Sequence, residues 1–440
     1  MWVCSWGPRR PGAGAAGGLG AAASAADQSP AELYRPAYHT CAAYFFLAAR
    51  GHELHILTTR VPGGDPSASA ASYSVHRLLT PEVEGGLGQT VKRLLIDRAQ
   101  REAENLARTR QLVTDLQPDA AMIWGMWNIP RSVPRLIEDL LPGRVAYYFC
   151  DYWAALPSAY LQRWQEEARH PLAALPKQIM GLYFRTRLAR EEPVPLRFEH
   201  PFCVSRAVRR NLVEAGVPVQ HGEIVYGGTP IPAPAPLVPP ARGAGEPLRL
   251  LYVGRLEAEK GVHTLIDALA QLAPIAELPI HLDLVGGGTP DYERRLRQQV
   301  AAAGLGEVVS FWGRLAHDQI PEVLAAHDIL LFPSEWEEPF ARTVLEAMAA
   351  GLLVIGTETG GTGELLVENE TGLTYPAGDA GALASQIGRA LSDRELRMRL
   401  AAAARQTVEE RFSFGRMVNE LETRLRQIAS VTPVAVMMEE

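Results

Sequence analysis

From residue 248 onward the apolar and polar positions change period in a regular way. Short β-rich apolar runs, LRLLYVG, HLDLVG, VVSFWG, ILLFPS and LLVIGT, are each followed by an amphipathic stretch. Strand, helix, strand is therefore the predicted repeat, which implies a parallel sheet covered by helices with its ligand crevice at the carboxyl ends of the strands. The first half repeats the rhythm less regularly, with ELHILTT, AAMIWG, RVAYYFCD, HPFCVS and GEIVYGG as strands and helices near 91–116, 129–140, 171–190 and 206–215. Between the halves, PIPAPAPLVPPARGAGEP (230–247) holds seven prolines and neither period, as a semi-rigid linker does. Beyond residue 392, RELRMRLAAAARQTVEERF and FGRMVNELETRLRQIA carry apolar residues at helical spacing, and the tail VTPVAVMMEE carries none. The opening thirty residues, an Ala/Gly/Pro/Arg mixture, show no strand pattern where an α/β lobe should begin with one. The predicted organisation is an atypical, disordered extension over 1–30, a first α/β lobe over 31–229, the linker, a second lobe over 248–412, and a carboxyl-terminal helix over 413–430 that crosses back to the first lobe.

Composition agrees with two lobes. The 440 residues are 47% apolar and 21% charged, enough to fill two sizeable cores and far from the make-up of a disordered chain. No window offers the run of about 18 to 20 uncharged apolar residues of a membrane span, and MWVCSWGPRRPGAGAAGGLG lacks the apolar centre of a signal peptide. A cytoplasmic location follows as the expectation. Cys4, Cys41, Cys150 and Cys203 form no metal-binding spacing and no disulfide scaffold, so neither a metal site nor a resident cofactor is expected. The net charge of -7 is uneven: residues 1–240 carry 25 Lys+Arg against 21 Asp+Glu, and residues 241–440 carry 18 against 29. The excess of base in the first half is too thin for nucleic acid. It suits peripheral contact with the anionic inner face of a membrane, ordinary surface charge being the plainer reading. Of 43 basic residues only Lys92, Lys177 and Lys260 are lysines.

That scarcity draws attention to LYVGRLEAEKGVHTLIDAL. Strand 249–253 ends in Gly254-Arg255, and Lys260, the sole lysine of the second half, precedes a helix. Two cations beside a helix amino terminus suit a diphosphate, Arg255 binding as a fork and Lys260 as a point charge; a solvated pair near a strand end is the bland alternative. In SEWEEPFARTVLEAMAAG, Glu338 falls in the loop after a strand and Glu346 inside the following helix, whose first turn at Phe340-Ala341 offers free N–H groups. Carboxylates on so apolar a segment suit hydroxyl partners such as those of sugar and ribose, against a capping or salt-bridging role. The glycines Gly286-Gly287-Gly288, Gly313 and Gly360-Gly361 each follow a predicted strand. The triple glycine is not GxGxxG, which disfavours a nicotinamide-dependent oxidoreductase.

Taken in order and spacing, VGRLEAEKG, LVGGG, FWGRL, FPSEWEEPFARTVLEAMAAGLLVIGT, GGTGE and NETGL resemble the donor lobe of the family 4 retaining glycosyltransferases of GT-B fold. The resemblance is specific over about 250–391 and extends weakly over LAARGHELHILTT, the DYW segment and VSRAVRRNLVEAGVP. It implies two Rossmann-like lobes facing across a cleft and transfer of a sugar from a nucleoside diphosphate sugar, with retention and without a metal, to a glycan, lipid or small-molecule acceptor. It further implies that Arg255 and Lys260 bind the diphosphate and that Glu338 contacts the donor sugar. Glu346 would hold the ribose, with the backbone of Pro339, Phe340 and Ala341 near sugar and phosphate. Gly254 and Gly286 would line the donor site, with Gly313 and Arg314 beside the base. In the first lobe Asp151 occupies a catalytic position.

Two departures stand out. The glycine-rich loop that follows the family's leading strand has only Gly17-Gly18 as a counterpart, with no strand pattern before it, and the histidine usual beside the acceptor-lobe aspartate is replaced at Cys150-Asp151. A non-catalytic sugar-nucleotide binder that lost transfer through its amino terminus is therefore the competing reading. The aromatics of MIWGMWNIP, YYFCDYW and AYLQRW suit a stacked sugar, a lipid contact or plain core, and the residues alone leave these open.

Overall fold

The computed structural model of the chain describes residues 2–5, 46–60, 67–69, 73–84, 91–156, 194–232, 247–272 and 280–430. The predicted helix at 171–190, most of the linker, and the tail fall outside these residues. The first sheet comprises β1 (Trp2–Ser5), β2 (Glu53–Thr59), β3 (Ser67–Ser69), β4 (Tyr73–Leu79), β5 (Ala120–Trp124), β6 (Val145–Phe149), β7 (His200–Cys203) and β8 (Glu223–Ile224). The second comprises β9 (Leu248–Val253), β10 (Ile280–Val285), β11 (Val309–Gly313), β12 (Ile329–Phe332), β13 (Leu353–Gly356) and β14 (Leu373–Thr374). The helices are α1 (Arg98–Leu116), α2 (Ser132–Leu140), α3 (Arg206–Glu214), α4 (Val262–Leu272), α5 (Pro290–Ala302), α6 (Ile320–Ala325), α7 (Arg342–Ala350), α8 (Ala380–Ser392), α9 (Arg394–Arg411) and α10 (Phe414–Ala429).

The second sheet is parallel throughout, in the order β11-β10-β9-β12-β13-β14. Its strands are continuous apolar runs because both faces are covered: Leu250, Leu251, Leu282, Leu284, Ile329, Leu330 and Leu331 are fully buried. Strand order reverses between β9 and β12, so the loops after those two strands diverge and leave a crevice at their carboxyl ends. Side-chain caps set several helix starts: Thr289 accepts from Tyr292 N, Asp379 from Ala382 N, Asp393 from Leu396 N and Ser413 from Arg416 N.

The first sheet runs β3-β4-β2-β1-β5-β6-β7-β8. Two features differ from the sequence expectation. Tyr73–Leu79 forms β4, parallel to β2, although no strand is legible in YSVHRLL. Val75, Arg77 and Leu79 face inward together, and a buried arginine in the middle of that face breaks the apolar signal. The opening segment, expected to lack a strand, supplies one: Trp2–Ser5 inserts between β2 and β5, antiparallel to both. Four residues suffice because the slot already presents unpaired backbone groups on two sides. Its direction matters. Ser5 pairs with Glu53, the first residue of β2, so the chain leaves β1 at the end of the sheet opposite the crevice.

A continuous buried cluster joins the lobes through Phe340, Phe412 and Phe414, with Tyr226 packed against it. The Tyr226 and Phe340 rings lie 5.9 Å apart, and Phe340 and Phe412 5.8 Å. From Phe414 onward α10 returns to the first lobe and packs on β5 and β6. Its Glu422 carboxylate receives Arg50, His52 Nε2 at 2.8 Å and Arg426 at 2.8 Å. Burial alone would raise that carboxyl, but the bonds from Arg426, His52 and Arg50 outweigh it and hold the pKa at about 2, against an ordinary 4.5. A folded-state value depressed in this way stabilises the chain fully above about pH 4.5, and the contribution is lost as pH falls toward 2. Thermal unfolding of Glu422→Gln should therefore show a shallower loss of stability over that acid window than the parent. Parallel curves for the two proteins would show that the clasp carries no pH-dependent stability. No helix among the described residues is long and apolar enough to cross a membrane.

Candidate active site

Both loops at the switch point carry residues singled out from the sequence. After β9, Gly261 adopts φ +65, and a Cβ there would lie 2.1 Å from the Pro333 carbonyl oxygen, so glycine lets the Lys260 turn press against the loop after β12. Glu335 N and Trp336 N both donate to Glu259 O, locking the loops side by side. Across this seam Lys260 Nζ donates to Glu338 Oε1 at 2.7 Å, each side chain being 14% exposed. Ser334 Oγ donates to the same oxygen at 2.7 Å, and Ser334 O in turn accepts from Thr357 Oγ1. The carboxylate is held from two directions, which fixes the position of the one lysine in this lobe.

A layer of glycines lies beside the pair. Gly254 N donates to Val285 O and Gly286 N to Gly313 O, so the ends of β9, β10 and β11 form one continuous floor. Gly286 has φ +142, and a Cβ on it would sit 1.7 Å from Gly254 O; one on Gly288 would sit 1.9 Å from Leu256 O. Arg314 folds its stem over Gly287, where a Cβ would meet Nε at 2.7 Å. Gly360 and Gly361 serve close approach as well, since added Cβ atoms would strike the Glu338 and Pro339 carbonyl oxygens at 2.3 and 2.2 Å.

Pro339, Phe340 and Ala341 lead into α7, whose N-cap residue Ala341 has no side-chain acceptor for the first-turn N–H groups. The Phe340 ring itself is buried between the lobes. Glu346, one turn into α7, is paired with Arg342 at 3.4 Å. Arg255 is 62% exposed and paired with Glu257 at 2.6 Å and Glu259 at 3.4 Å.

In the first lobe, Asp151 lies at the end of β6, where burial raises its carboxyl pKa against bonds from the Trp153 amide and the Trp127 indole. Trp127 Nε1 donates to Oδ2 at 2.6 Å and Trp153 N to Oδ1 at 2.9 Å. Burial drives the neighbouring Cys150 thiol well above its ordinary range, with Asp151 adding to the effect, so it stays neutral and is no substitute for a basic histidine.

Several residues that join the lobes were not singled out from sequence. Tyr152 OH donates to Glu337 O at 3.1 Å, and Ser205 Oγ to Pro339 O at 2.6 Å. Glu364, within GGTGE, accepts from Arg206 N, Ala207 N and Tyr226 OH, thereby capping α3 from the opposite lobe. The amino terminus of α3 is thus filled by a carboxylate. Only the serine before α3 gave a local signal, as a helix cap.

Residues 240–407 match the family model described as glycosyl transferases group 1. A glycogen synthase of Mycobacterium tuberculosis is 35% identical over 168 residues, a stretch that covers 38% of this chain and 40% of that relative's length. Among solved structures, the sucrose-phosphate synthase of Thermosynechococcus elongatus superposes with a TM-score of 0.64 at 19% identity, over 90% of this chain and 93% of its own. Anabaena HepE, solved with UDP and glucose, superposes with a TM-score of 0.55 at 23% identity, over 81% of this chain and 86% of its own. The fold is thus GT-B, two Rossmann-like lobes facing across a crevice, and residues 240–407 carry the pattern of the glycosyl transferases group 1 family.

Proposed function

We propose that the chain is a retaining glycosyltransferase of family 4 type, moving a sugar from a nucleoside diphosphate sugar to an acceptor held by the first lobe. The observation that carries this reading is the Lys260–Glu338 pair at the switch point. In a sugar nucleotide, the bond to be broken joins the anomeric carbon to a phosphate oxygen. A cation and a carboxylate 2.7 Å apart can address the two sides of such a bond, Lys260 the phosphate and Glu338 the hydroxyls of the sugar. Charge collects on the diphosphate as the bond breaks, and Lys260 with the first-turn N–H groups of α7 stabilises it where a divalent metal would otherwise do so. Arg255 joins only by leaving Glu257 and Glu259, which its exposure permits. The reaction needs no protein nucleophile if the departing phosphate accepts the acceptor's proton on the same face.

Two variants separate the roles. Glu346→Ala should weaken the bare nucleoside diphosphate about tenfold, the scale of one hydrogen bond to a charged group. Glu338→Ala should spare that ligand, because Lys260 is then free to face it, and weaken the intact sugar nucleotide. Calorimetry with UDP, GDP and ADP and their glucose conjugates measures both, and equal losses on the bare nucleotide would mean the carboxylates are misassigned.

A second reading, a sugar-nucleotide binder that does not transfer, is favoured by one observation. β1 runs antiparallel and delivers the chain away from the crevice, where a leading parallel strand would feed a loop into it. Binding without release of nucleoside diphosphate from any sugar nucleotide would select this alternative.

A further inference from the structure

We propose that Trp127 is the platform on which a sugar ring of the acceptor stacks, with Asp151 as the positioning residue that fixes the indole; the inference rests on the transfer reading above. Trp127 follows β5 in a loop bent by two left-handed residues, Gly125 at φ +58 and Asn128 at φ +63. The loop is stapled in place: Asn128 Oδ1 accepts from Val83 N and its Nδ2 donates to Val83 O, both at 2.6 Å, and Asn128 O accepts from Glu82 N. The indole is 49% exposed, yet its one polar atom is bound to the Asp151 carboxylate at 2.6 Å. Asp151 is anchored in turn through its other oxygen to the amide of Trp153, a residue buried among Tyr147, Phe149 and Phe198. A half-exposed aromatic ring is thereby held in one orientation by its own hydrogen bond.

Its position is that of an acceptor subsite. Tyr152, next in sequence to Asp151, reaches across the crevice to Glu337 O, and Glu337 adjoins Glu338. The indole's polar partner is the Asp151 carboxylate, and the hydroxyl of the adjoining Tyr152 is bound to Glu337 O. None of the other exposed large apolar side chains among the described residues lies on the loops after β5 or β6. A lipid chain needs a contiguous apolar strip, whereas a pyranose offers one apolar C–H face and a rim of hydroxyls. The chemistry therefore selects a carbohydrate. The same two bonds give Asp151 a role other than proton transfer, since each oxygen already serves a donor of its own lobe.

The test uses the full chain and saturation-transfer NMR with methyl glycosides of glucose, galactose, mannose and N-acetylglucosamine, in the presence of whichever of UDP, GDP or ADP binds by calorimetry. At least one glycoside should receive saturation. Trp127→Ala should weaken it about tenfold or more and Trp127→Phe much less, as stacking requires. Asp151→Ala should weaken the same glycoside and shift the indole fluorescence, and Asp151→Asn, which keeps an acceptor oxygen, should restore most of both. Nucleoside diphosphate affinity should be the same in all four variants. A nucleotide-binding wild type that takes no glycoside, or a signal indifferent to Trp127→Ala, overturns the platform. A wild type that binds no nucleoside diphosphate overturns the transfer reading, and the acceptor role with it.

Discussion

Lys260→Ala should lower the rate of sugar transfer about 100-fold or more, the usual scale for removing one preorganised donor from developing charge. Lys260 is the single lysine of its half, is mostly buried, and is held 2.7 Å from Glu338 by a turn that only glycine at 261 allows. Losing it removes the cation that the proposed function aims at the departing phosphate, and leaves Glu338 with Ser334 as its remaining partner at that oxygen. A buried carboxylate stripped of its cation is costly, so some loss of thermal stability should accompany the loss of rate. Lys260→Arg tests whether position or charge matters: a planar fork cannot occupy the seam as a point charge does, and recovery should be partial. Steady-state rates with a sugar nucleotide decide it. Near-parental turnover in Lys260→Ala would reject the diphosphate role.

Gly286→Ala should be the most damaging single methyl in the second lobe. At φ +142 an L side chain is strained, and its Cβ would lie 1.7 Å from a backbone oxygen of Gly254 that has no flexible end to yield. Forcing β9 and β10 apart there should cost more than about 3 kcal/mol, or on the order of 10 °C in midpoint. The floor of the proposed donor site would be displaced with it. Gly313→Ala is the matched control: φ is +74 but nothing lies within 4 Å, so strain alone remains, about 1 kcal/mol. Thermal unfolding of both variants gives the comparison, and equal shifts would mean that the close approach of the two strand ends is relieved at little cost.

These two predictions draw on features the sequence displayed with unequal clarity. The second lobe was legible almost strand by strand, because a parallel sheet covered on both faces writes each strand as an unbroken apolar run, as in ILLF. The first lobe was not. Arg77 interrupts the inward face of β4, and Trp2–Ser5 is four residues of no particular pattern whose strand character comes from the slot between β2 and β5. Within the site, Lys260 and Glu338 were found from scarcity and placement after strands, and they do meet. Arg255, expected at the same diphosphate, is paired with Glu257 and Glu259, local acidic partners whose choice spacing does not encode. The contacts that close the crevice, Tyr152 on Glu337 and Glu364 on α3, join residues more than a hundred positions apart, and no single-chain pattern points to them.

On the proposed mechanism, a sugar nucleotide bound at the Lys260–Glu338 seam is cleaved with retention and without a divalent metal. Proton NMR of the anomeric signals, recorded early while the full chain acts on UDP-, GDP- or ADP-glucose in EDTA, separates this course from its alternatives. Nucleoside diphosphate should be released with the first-formed sugar product in the anomeric configuration of the donor, and that signal should be lost in Lys260→Ala. A first-formed product of opposite configuration, or activity that vanishes in EDTA and returns with magnesium or manganese, would rule this mechanism out.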